Sequence, residues 1–228
     1  MCNRGCGNPR SQRCFIYDCR RRICCNHGAF RLWEINTDAY FRIFRSSNQR
    51  YVPFRRKDVS TMSDDELALM RRWKVGFVFQ SFFLLPELTV LENVMLALTY
   101  HGIEKREQIK KAELAIEKVG LTHRRDYNVT KISGGEKQRT AIARALVAEP
   151  KVIFADEPTG NLDSKSGAIV MEVIERLNKE GSTILLVTHE TDTAKHAKRI
   201  IRLKDGQITE DTKVKKRSRS RNGAGLNK

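Results

Sequence analysis

Two adjacent carboxylates, Asp156 and Glu157, follow the apolar run KVIFA at residues 151–155. Such a run indicates a buried strand that ends where open α/β sheets bind their ligands. At that edge Asp156 can hold Mg²⁺, directly or through water, and Glu157 can orient or deprotonate a water that attacks a phosphate. A solvated acidic strand end would explain the same two residues, so the pair alone leaves the chemistry open.

A second group with chemical meaning is the stretch ISGGEKQR, which contains Ser133, Gly134 and Gly135. These residues precede a predicted helix, where glycines let backbone N–H groups approach an anion and the helix N-terminus adds partial positive charge. The alternative is a glycine turn before a helix. That alternative does not account for Gln138 and Arg139 following in this register.

The elements that must position these residues alternate between strands and helices. Strands are predicted at VGFVF (75–79), KVIFAD (151–156) and STILLVT (182–188), and helices at about 136–147 and 164–180. This alternation implies parallel pairing, so the predicted fold class is α/β with a doubly wound sheet.

A helical subdomain is predicted at about 82–132, where no convincing strand occurs. Thr89 and Glu92 have the spacing of a capping box before an apolar helix. The amphipathic stretch KREQIKKAELAIEK is a further helix, and Gly120 ends it.

Two shorter signals flank these elements. Ser63 and Glu66 also have capping-box spacing and predict a helix just before the strand VGFVF. Asp205 and Gly206 mark a turn between RIIRL and QIT, which predicts a hairpin near the end of the domain.

The net charge of +16 is confined to the two ends of the chain. Residues 1–56 hold 12 Arg, no Lys and 3 acidic residues, and residues 213–228 hold 7 basic and no acidic ones. Residues 57–212 hold 24 of each sign, so the central domain is neutral and no nucleic-acid partner is expected. The basic tail, low in apolar residues, is predicted to be disordered, with a membrane or RNA contact as the alternative.

All six cysteines lie within the first 25 residues, at Cys2, Cys6, Cys14, Cys19, Cys24 and Cys25. Together with His27 they suggest a zinc site, but the paired knuckle spacing of structural zinc sites is missing. No signal-peptide pattern and no run of about 18 apolar residues occurs, so a cytoplasmic protein without its own membrane span is expected.

The motifs from residue 57 to about 212 resemble those of the ATP-binding subunit of an ABC transporter. SGGEKQR is similar to the signature motif of that family, VIFADEP to its Walker B strand and GNLD (160–163) to its D-loop. VTHE places His189 at the switch histidine, and VFQSF places Gln80 at the Q-loop glutamine. These motifs occur in the family's order, which makes the resemblance specific.

The resemblance implies a P-loop NTPase-like fold and ATP with Mg²⁺ as ligands. Each ATP would lie between the phosphate loop of one subunit and the signature motif of the other, in a head-to-tail homodimer or a pair of ATPase subunits. Residues implied to serve the partner's ATP are Ser133, Gly134 and Gly135. Gln138 and Asp163 are also implied to bind the nucleotide. Residues implied to serve the subunit's own site are Glu157, His189 and Gln80 as catalytic groups and Asp156 with Gln80 at the metal.

The wording QSFFLLPELTVLENV and DEPTGNLD most resembles the branch that serves lipoprotein release and macrolide export. Phe83 stands where that branch usually has asparagine. The resemblance implies a separate transmembrane permease subunit and a place on the inner face of the cell membrane. It does not identify the transported substrate.

One part of such a site is missing, because no Gly-Lys dipeptide occurs anywhere in the 228 residues. The codons of Leu32-Trp33-Glu34, read one base later, permit Ser-Gly-Lys. The same shift over residues 22–40 permits GPSGSGKS, a complete phosphate loop. We therefore expect residues 1–56 to be an out-of-frame translation that replaces the first core strands and the phosphate loop; a divergent N-terminal module is the alternative.

Three functions remain open at this stage. The leading hypothesis is the ATP-hydrolysing subunit of a transporter, with the activity of the chain as written in doubt. The second is a degenerate ABC-fold protein that binds a partner without hydrolysis, or the product of a pseudogene. The third is an ABC-type ATPase of translation or DNA repair, a class that usually has tandem domains or a long coiled-coil insertion.

Overall fold

The part of the chain that the structure, a computed structural model, describes comprises residues 14–17, 53–54, 57–58, 63–99, 101–204 and 207–214. The aberrant segment predicted at 1–56 lies outside these residues, apart from two short strands. The basic tail beyond residue 214 and the Asp205-Gly206 turn also lie outside them.

The described residues form eight strands and six α-helices. The strands are β1 Cys14–Tyr17, β2 Pro53–Phe54, β3 Lys57–Asp58, β4 Val75–Val78, β5 Val152–Asp156, β6 Thr183–Val187, β7 Arg199–Lys204 and β8 Gln207–Lys213. The helices are α1 Asp64–Lys74, α2 Val90–Thr99, α3 Lys105–Lys118, α4 Gly134–Leu146, α5 Ser164–Lys179 and α6 Thr191–Ala194.

A parallel sheet with the order β4-β5-β6 lies at the centre of the fold. Val78 of β4 pairs with Ala155 of β5, and Asp156 pairs with Val187 of β6. Parallel strands end at a common edge, and the three strands predicted from the sequence therefore place their C-terminal residues together.

Two antiparallel sheets complete the described strands. β7 lies between β1 and β8, and its pairing with β8 confirms the hairpin that RIIRL and QIT predict. β8 ends at Lys213, one residue inside the predicted tail. β2 and β3 form a separate short pair.

The segment between β4 and α4 is helical, as predicted, with one isolated bridge between Thr89 and Asn128 among its described residues. The capping box before α2 is present: the Thr89 N–H donates to Glu92 Oε2 at 2.8 Å and the Glu92 N–H to Thr89 Oγ1 at 3.2 Å. Gly120, at a φ of +69°, follows α3 in the left-handed conformation that ends helices.

The capping box before α1 is also formed, with 3.1 and 3.3 Å between the paired atoms of Ser63 and Glu66. One boundary differs from the prediction, because α4 begins at Gly134 and not at Glu136. Ser133 is the N-cap and Glu136 closes a reciprocal capping box with it, so both glycines fall inside the first turn despite their low helix propensity.

The core consists of apolar side chains from both faces of the parallel sheet and from the helices against it. Fully buried examples include Val78, Ile142, Met171, Ile184 and Leu186. Helix α4 lies so close to β4 that a Cβ on Gly76 would be 2.5 Å from the carbonyl oxygen of Ala145. This close approach fixes α4, and with it the ISGGEKQR stretch, against the strand that leads to Gln80.

Candidate functional site

Glu157 lies directly after β5 in an unusual backbone conformation, with a φ of 42°. Its N–H donates to the carbonyl of Val187 at 2.8 Å, which ties it to the end of β6. A non-glycine residue persists in the left-handed region only where its surroundings hold it, and such residues are common at active sites. The structure therefore presents Glu157 at the edge that the sequence predicts.

His189, two residues beyond β6, is in hydrogen-bond contact through Nδ1 with Oε1 of Glu157. Its ring is about half exposed. With the carboxylate as acceptor, Nδ1 carries the shared proton. The predicted catalytic pair is thus assembled within one chain.

Asp156 is half-buried at the last position of β5. Burial, and then the negative charge of Glu157, raise the pKa of Asp156 to about 6. A carboxylate whose ionised form is disfavoured in this way is stabilised by a nearby cation. Asp156 therefore has the electrostatics expected of a metal ligand.

Gln80 joins the same cluster from the loop after β4. Its Nε2 donates to Asn161 Oδ1 at 3.2 Å, and Asn161 Nδ2 donates back to the Gln80 carbonyl at 3.1 Å. Gly160 lies between the side chains of Gln80 and Glu157, since a Cβ on it would be 2.5 Å from Gln80 Nε2 and 3.1 Å from Glu157 Oε2. Glycine at 160 is what permits Gln80 and Glu157 to approach each other.

The oxygen-rich donor set fits Mg²⁺. Asp156, Glu157 and the amide oxygen of Gln80 are hard ligands, the type that magnesium prefers. Among the described residues no group of three or more His, Cys, Asp or Glu is arranged to hold a metal. Mg²⁺ is commonly bound by one or two carboxylates together with substrate phosphates, so an all-protein cage is not required.

The ISGGEKQR stretch forms a second cluster at the N-terminus of α4. Ser133 and Gly134 are exposed there. Gly135 is buried, and a Cβ on it would lie 3.0 Å from Cβ of Ser166 in α5. Close packing of α4 on α5 is therefore one reason for the second glycine, and the sequence pattern alone does not indicate it.

Glu136 anchors this helix start. Burial raises the pKa of Glu136, but hydrogen bonds from the Ser133 backbone, the Arg124 guanidinium and the Ser133 hydroxyl outweigh that effect and lower it to about 2. Arg124 Nε lies 2.9 Å from Glu136 Oε1. Glu136 therefore remains ionised and stabilises the turn that presents Ser133.

Gln138 and Asp163 have partners inside the chain. Gln138 is fully buried, and its Nε2 donates to the carbonyl of Phe79 at 3.3 Å. Asp163 caps α5, accepting from the N–H groups of Lys165 and Ser166 at 3.0 and 2.9 Å. Their predicted contacts with the nucleotide stay predictions.

The GNLD segment connects the two clusters. Asn161 bonds Gln80, Leu162 lies against Gly134, and Asp163 caps the helix whose Ser166 contacts Gly135. The sequence motif indicates that this segment is important. It does not reveal that Asn161 contacts the cluster around Gln80, whereas Leu162 contacts the cluster at the start of α4.

Two supporting residues were missed from the sequence. Glu190 accepts hydrogen bonds from Thr159 Oγ1 at 3.1 Å and Thr193 Oγ1 at 2.7 Å, which fixes the segment after His189 to the one after Glu157. Asn93, fully buried in α2, accepts from the Leu85 N–H at 2.8 Å and thereby holds the loop beyond Gln80. A polar residue inside the apolar run VLENVMLAL is the signal that could have revealed Asn93.

Comparison with known proteins identifies the family. The model of the family described as "ABC transporter" matches residues 49–160. The uncharacterised ABC transporter ATP-binding protein MJ1508 of Methanocaldococcus jannaschii is 48% identical over 159 residues, which span 70% of this chain and 71% of that protein. The chain belongs to the ABC transporter family. This confirms the family that the motifs predict.

Other ABC relatives differ in how much of their length the chain spans. The uncharacterised ABC transporter ATP-binding protein YknY of Bacillus subtilis is 51% identical over 152 residues, 67% of this chain and 66% of YknY. The macrolide export ATP-binding/permease protein MacB of Chlorobaculum tepidum is 49% identical over 157 residues, but these cover 24% of MacB.

The ABC fold is confirmed by solved structures. The dimeric structure of MJ0796, a bacterial ABC transporter cassette, aligns with a TM-score of 0.65 and 37% identity over 79% of this chain and 81% of that one. The same cassette in a post-hydrolysis state bound to ADP and Pi aligns with a TM-score of 0.65 and 36% identity. Within the described residues, no helix is both long and apolar enough to cross a bilayer.

Proposed function

We propose that the chain is the ATP-hydrolysing subunit of an ABC transporter. The observation that carries this proposal is the convergence of Gln80, Glu157 and His189 beside Asp156 at the C-terminal edge of β4, β5 and β6. These residues come from three separate stretches of sequence. A solvated acidic strand end, the simpler interpretation, does not require that convergence.

Each residue has a role in this hydrolysis. Glu157 orients a water and takes its proton, because its carboxylate lies at the open edge and His189 holds one of its oxygens in place. Gln80 supplies an amide oxygen to the same space, held by the hydrogen bond from its nitrogen to Asn161. Asp156 would hold Mg²⁺, which when bound supplies positive charge against the phosphate oxygens.

The finer assignments follow the relatives. We propose a head-to-tail pair of cassettes in which the exposed Ser133 and Gly134 face the nucleotide of the second subunit; the dimeric MJ0796 cassette supports the pairing. A separate permease in the membrane, with the chain on its inner face, is the expected partner. MacB, named for macrolide export, supports export of a lipoprotein, a macrolide or a similar amphiphile.

The phosphate loop is the missing part of this proposal. With no Gly-Lys dipeptide in 228 residues, the triphosphate has no lysine and no backbone cradle of the P-loop type in the chain as written. We propose that residues 1–56 are read out of frame and that the loop GPSGSGKS belongs to the displaced frame. The same absence favours the second candidate function, a partner-binding cassette without hydrolysis.

Sequencing the first sixty codons from genomic DNA separates these two functions. A base gained or lost near each end of that stretch restores the phosphate loop and supports the ATPase. A confirmed written frame supports the non-hydrolysing cassette.

A direct assay uses two proteins. One is the chain as written; the other, the frame-restored chain, carries the displaced reading of residues 3–56 and joins the written frame at Lys57. We expect ATP hydrolysis from the frame-restored chain and a negligible rate from the chain as written. Hydrolysis by the chain as written that disappears in Glu157→Gln would contradict the proposal about the frame, and an inactive frame-restored chain would contradict the ATPase itself.

A further inference from the structure

The loop that carries Gln80 contains two consecutive residues in an unfavourable conformation. Phe82 has a φ of 61° and Phe83 a φ of 46°, and neither is glycine, asparagine or aspartate. Large side chains avoid this region because Cβ approaches the following carbonyl. The surrounding structure must therefore hold this turn in place.

Arg144 of α4 holds the turn. Its Nη2 donates to the carbonyl of Phe82 at 2.8 Å, and its Nη1 donates to the carbonyl of Phe83. A planar guanidinium can reach two neighbouring acceptors in this way, and a lysine ammonium cannot match the fork. No carboxylate among the described residues pairs with Arg144, so its hydrogen bonds are directed at the loop.

A second side chain of the same helix acts on the other flank of Gln80. Gln138 is fully buried, and it donates to the carbonyl of Phe79. The carbonyls before and after Gln80 are thus bound by one helix, at positions six residues apart. The close approach of α4 to β4 at Gly76 leaves this unit little freedom to slide.

Helix α4 begins at the residues that we propose face the second nucleotide. Ser133 caps it, and its first turn is fixed by Glu136. The same helix therefore joins Ser133 and Gly134 to Arg144, and Arg144 joins it to the backbone beyond Gln80. The two halves of the site are connected within one subunit by hydrogen bonds.

We propose that Arg144 is a positioning residue, which sets the place of the Gln80 side chain by holding the carbonyls of Phe82 and Phe83. This inference rests on the proposed function for its catalytic meaning. Its physical content is independent of hydrolysis: without the guanidinium, the loop leaves its present conformation and Gln80 loses its contact with Asn161.

The test is an NMR comparison of the full chain as written with its Arg144→Ala and Arg144→Lys variants. The readouts are the side-chain amide signal of Gln80, assigned by its loss in Gln80→Glu, and the exchange rates of the Phe82 and Phe83 amides. Those amides donate to the carbonyls of Phe79 and Ser81. The matched control is Arg176→Ala, because Arg176 also donates to a backbone carbonyl, that of Lys118, on another face.

In Arg144→Ala we expect the Gln80 side-chain signal to shift or broaden. The Phe82 and Phe83 amides should exchange about tenfold faster or more, because opening the loop no longer requires breaking the hydrogen bonds to the guanidinium. Millimolar guanidinium should restore both readouts in this variant. The Gln80 signal and the exchange rates of Arg144→Lys should lie between those of the unaltered chain and those of Arg144→Ala. Amides of β5 should be unchanged. Arg176→Ala should leave the Gln80 signal where it is.

An unchanged Gln80 signal in Arg144→Ala, or an equal change in Arg176→Ala, would overturn the inference. If Arg144→Ala does not fold, Arg144→Lys tests the inference in its place. An unshifted Gln80 signal in folded Arg144→Lys would show that the two hydrogen bonds from the guanidinium are not needed. These readouts need no ATP hydrolysis, so an inactive frame-restored chain would refute the proposed function and leave this test intact.

Discussion

Nδ1 of His189 and Oε1 of Glu157 are in hydrogen-bond contact, although the two residues are 32 positions apart in the chain. The contact links the ends of β5 and β6, and it orients a carboxylate whose backbone already has a φ of 42°. The Glu157 carboxylate is therefore held from two sides, by the end of its own strand and by the histidine that follows β6.

Replacing His189 should affect hydrolysis more than nucleotide binding. In the frame-restored chain we expect His189→Ala to lower the rate of ATP hydrolysis by about 10²-fold or more, the usual range for a group that supports proton transfer. ATP affinity should change little, because the phosphate loop and not His189 anchors the triphosphate. Rate and affinity measured on the same preparation check this, and a parallel fall in both would contradict it.

Two glycines should respond differently to the same substitution. Gly76→Ala places a Cβ 2.5 Å from the backbone oxygen of Ala145, which cannot move without shifting α4. We expect it to lower the free energy of unfolding by about 1–3 kcal/mol, as overpacking does. Gly160→Ala meets mainly the flexible end of Gln80, so it should cost less than about 1 kcal/mol.

Urea unfolding of both glycine variants provides the measurement. A larger loss of stability in Gly160→Ala than in Gly76→Ala would contradict the packing described for α4 and β4. In Gly160→Ala, displacement of the Gln80 side-chain amide signal should accompany the small change in stability.

Asparagine should fit the backbone at position 83 better than alanine does. Its φ of 46° is a region that asparagine tolerates better than other non-glycine residues, and asparagine is the residue usual there in the branch that the sequence resembles. Phe83→Asn should be more stable than Phe83→Ala by about 0.5–1 kcal/mol. Both variants lose the edge contact of the Phe83 ring with Phe79, so their difference in urea unfolding isolates the backbone effect. Equal stability would show that the turn carries no strain.

Stability should fall as pH rises from about 4 to about 6 because of Asp156. Its pKa is raised from 3.8 to about 6 in the folded chain, so the native state binds a proton more tightly than the unfolded state does in that interval. The contribution is fully present below the unfolded pKa and is lost above about pH 6. At about 1.4 kcal/mol per pKa unit, it amounts to roughly 2–3 kcal/mol.

Asp156→Asn is the control for this pH dependence. The free energy of unfolding of the chain minus that of the variant should decrease between pH 4 and 7, while contributions from carboxylates that do not interact with Asp156 cancel in the difference. A difference that stays constant with pH would show that Asp156 is neither desolvated nor repelled by Glu157.

Local features of this fold were predictable from the sequence, and contacts between distant residues were not. The capping boxes at Ser63 and Thr89 follow from spacings of three residues, and both are formed. The bond between Gln80 and Asn161 joins residues 81 positions apart, and no periodicity encodes it. The motifs and their order predict which residues belong to the candidate site, but they do not predict which of these residues are in contact.

The ISGGEKQR stretch shows that one sequence pattern can have two structural causes. The pattern of its glycines predicts a close approach to an anion, yet Gly135 also makes room for Ser166 of α5. Packing and ligand binding place the same demand on a glycine, so a sequence pattern cannot separate them. Likewise the buried Gln138 belongs to a motif, and only the fold shows that it reaches Phe79.

The most direct test of the account is the rate of ATP hydrolysis by the frame-restored chain with and without Glu157→Gln, beside the control Glu180→Gln at an exposed position after α5. We predict that Glu157→Gln lowers the rate by about 10²-fold or more while ATP still binds, and that Glu180→Gln has the rate of the unaltered protein. Hydrolysis that is as fast in Glu157→Gln as in Glu180→Gln would contradict the assignment of Glu157 and the function built on it.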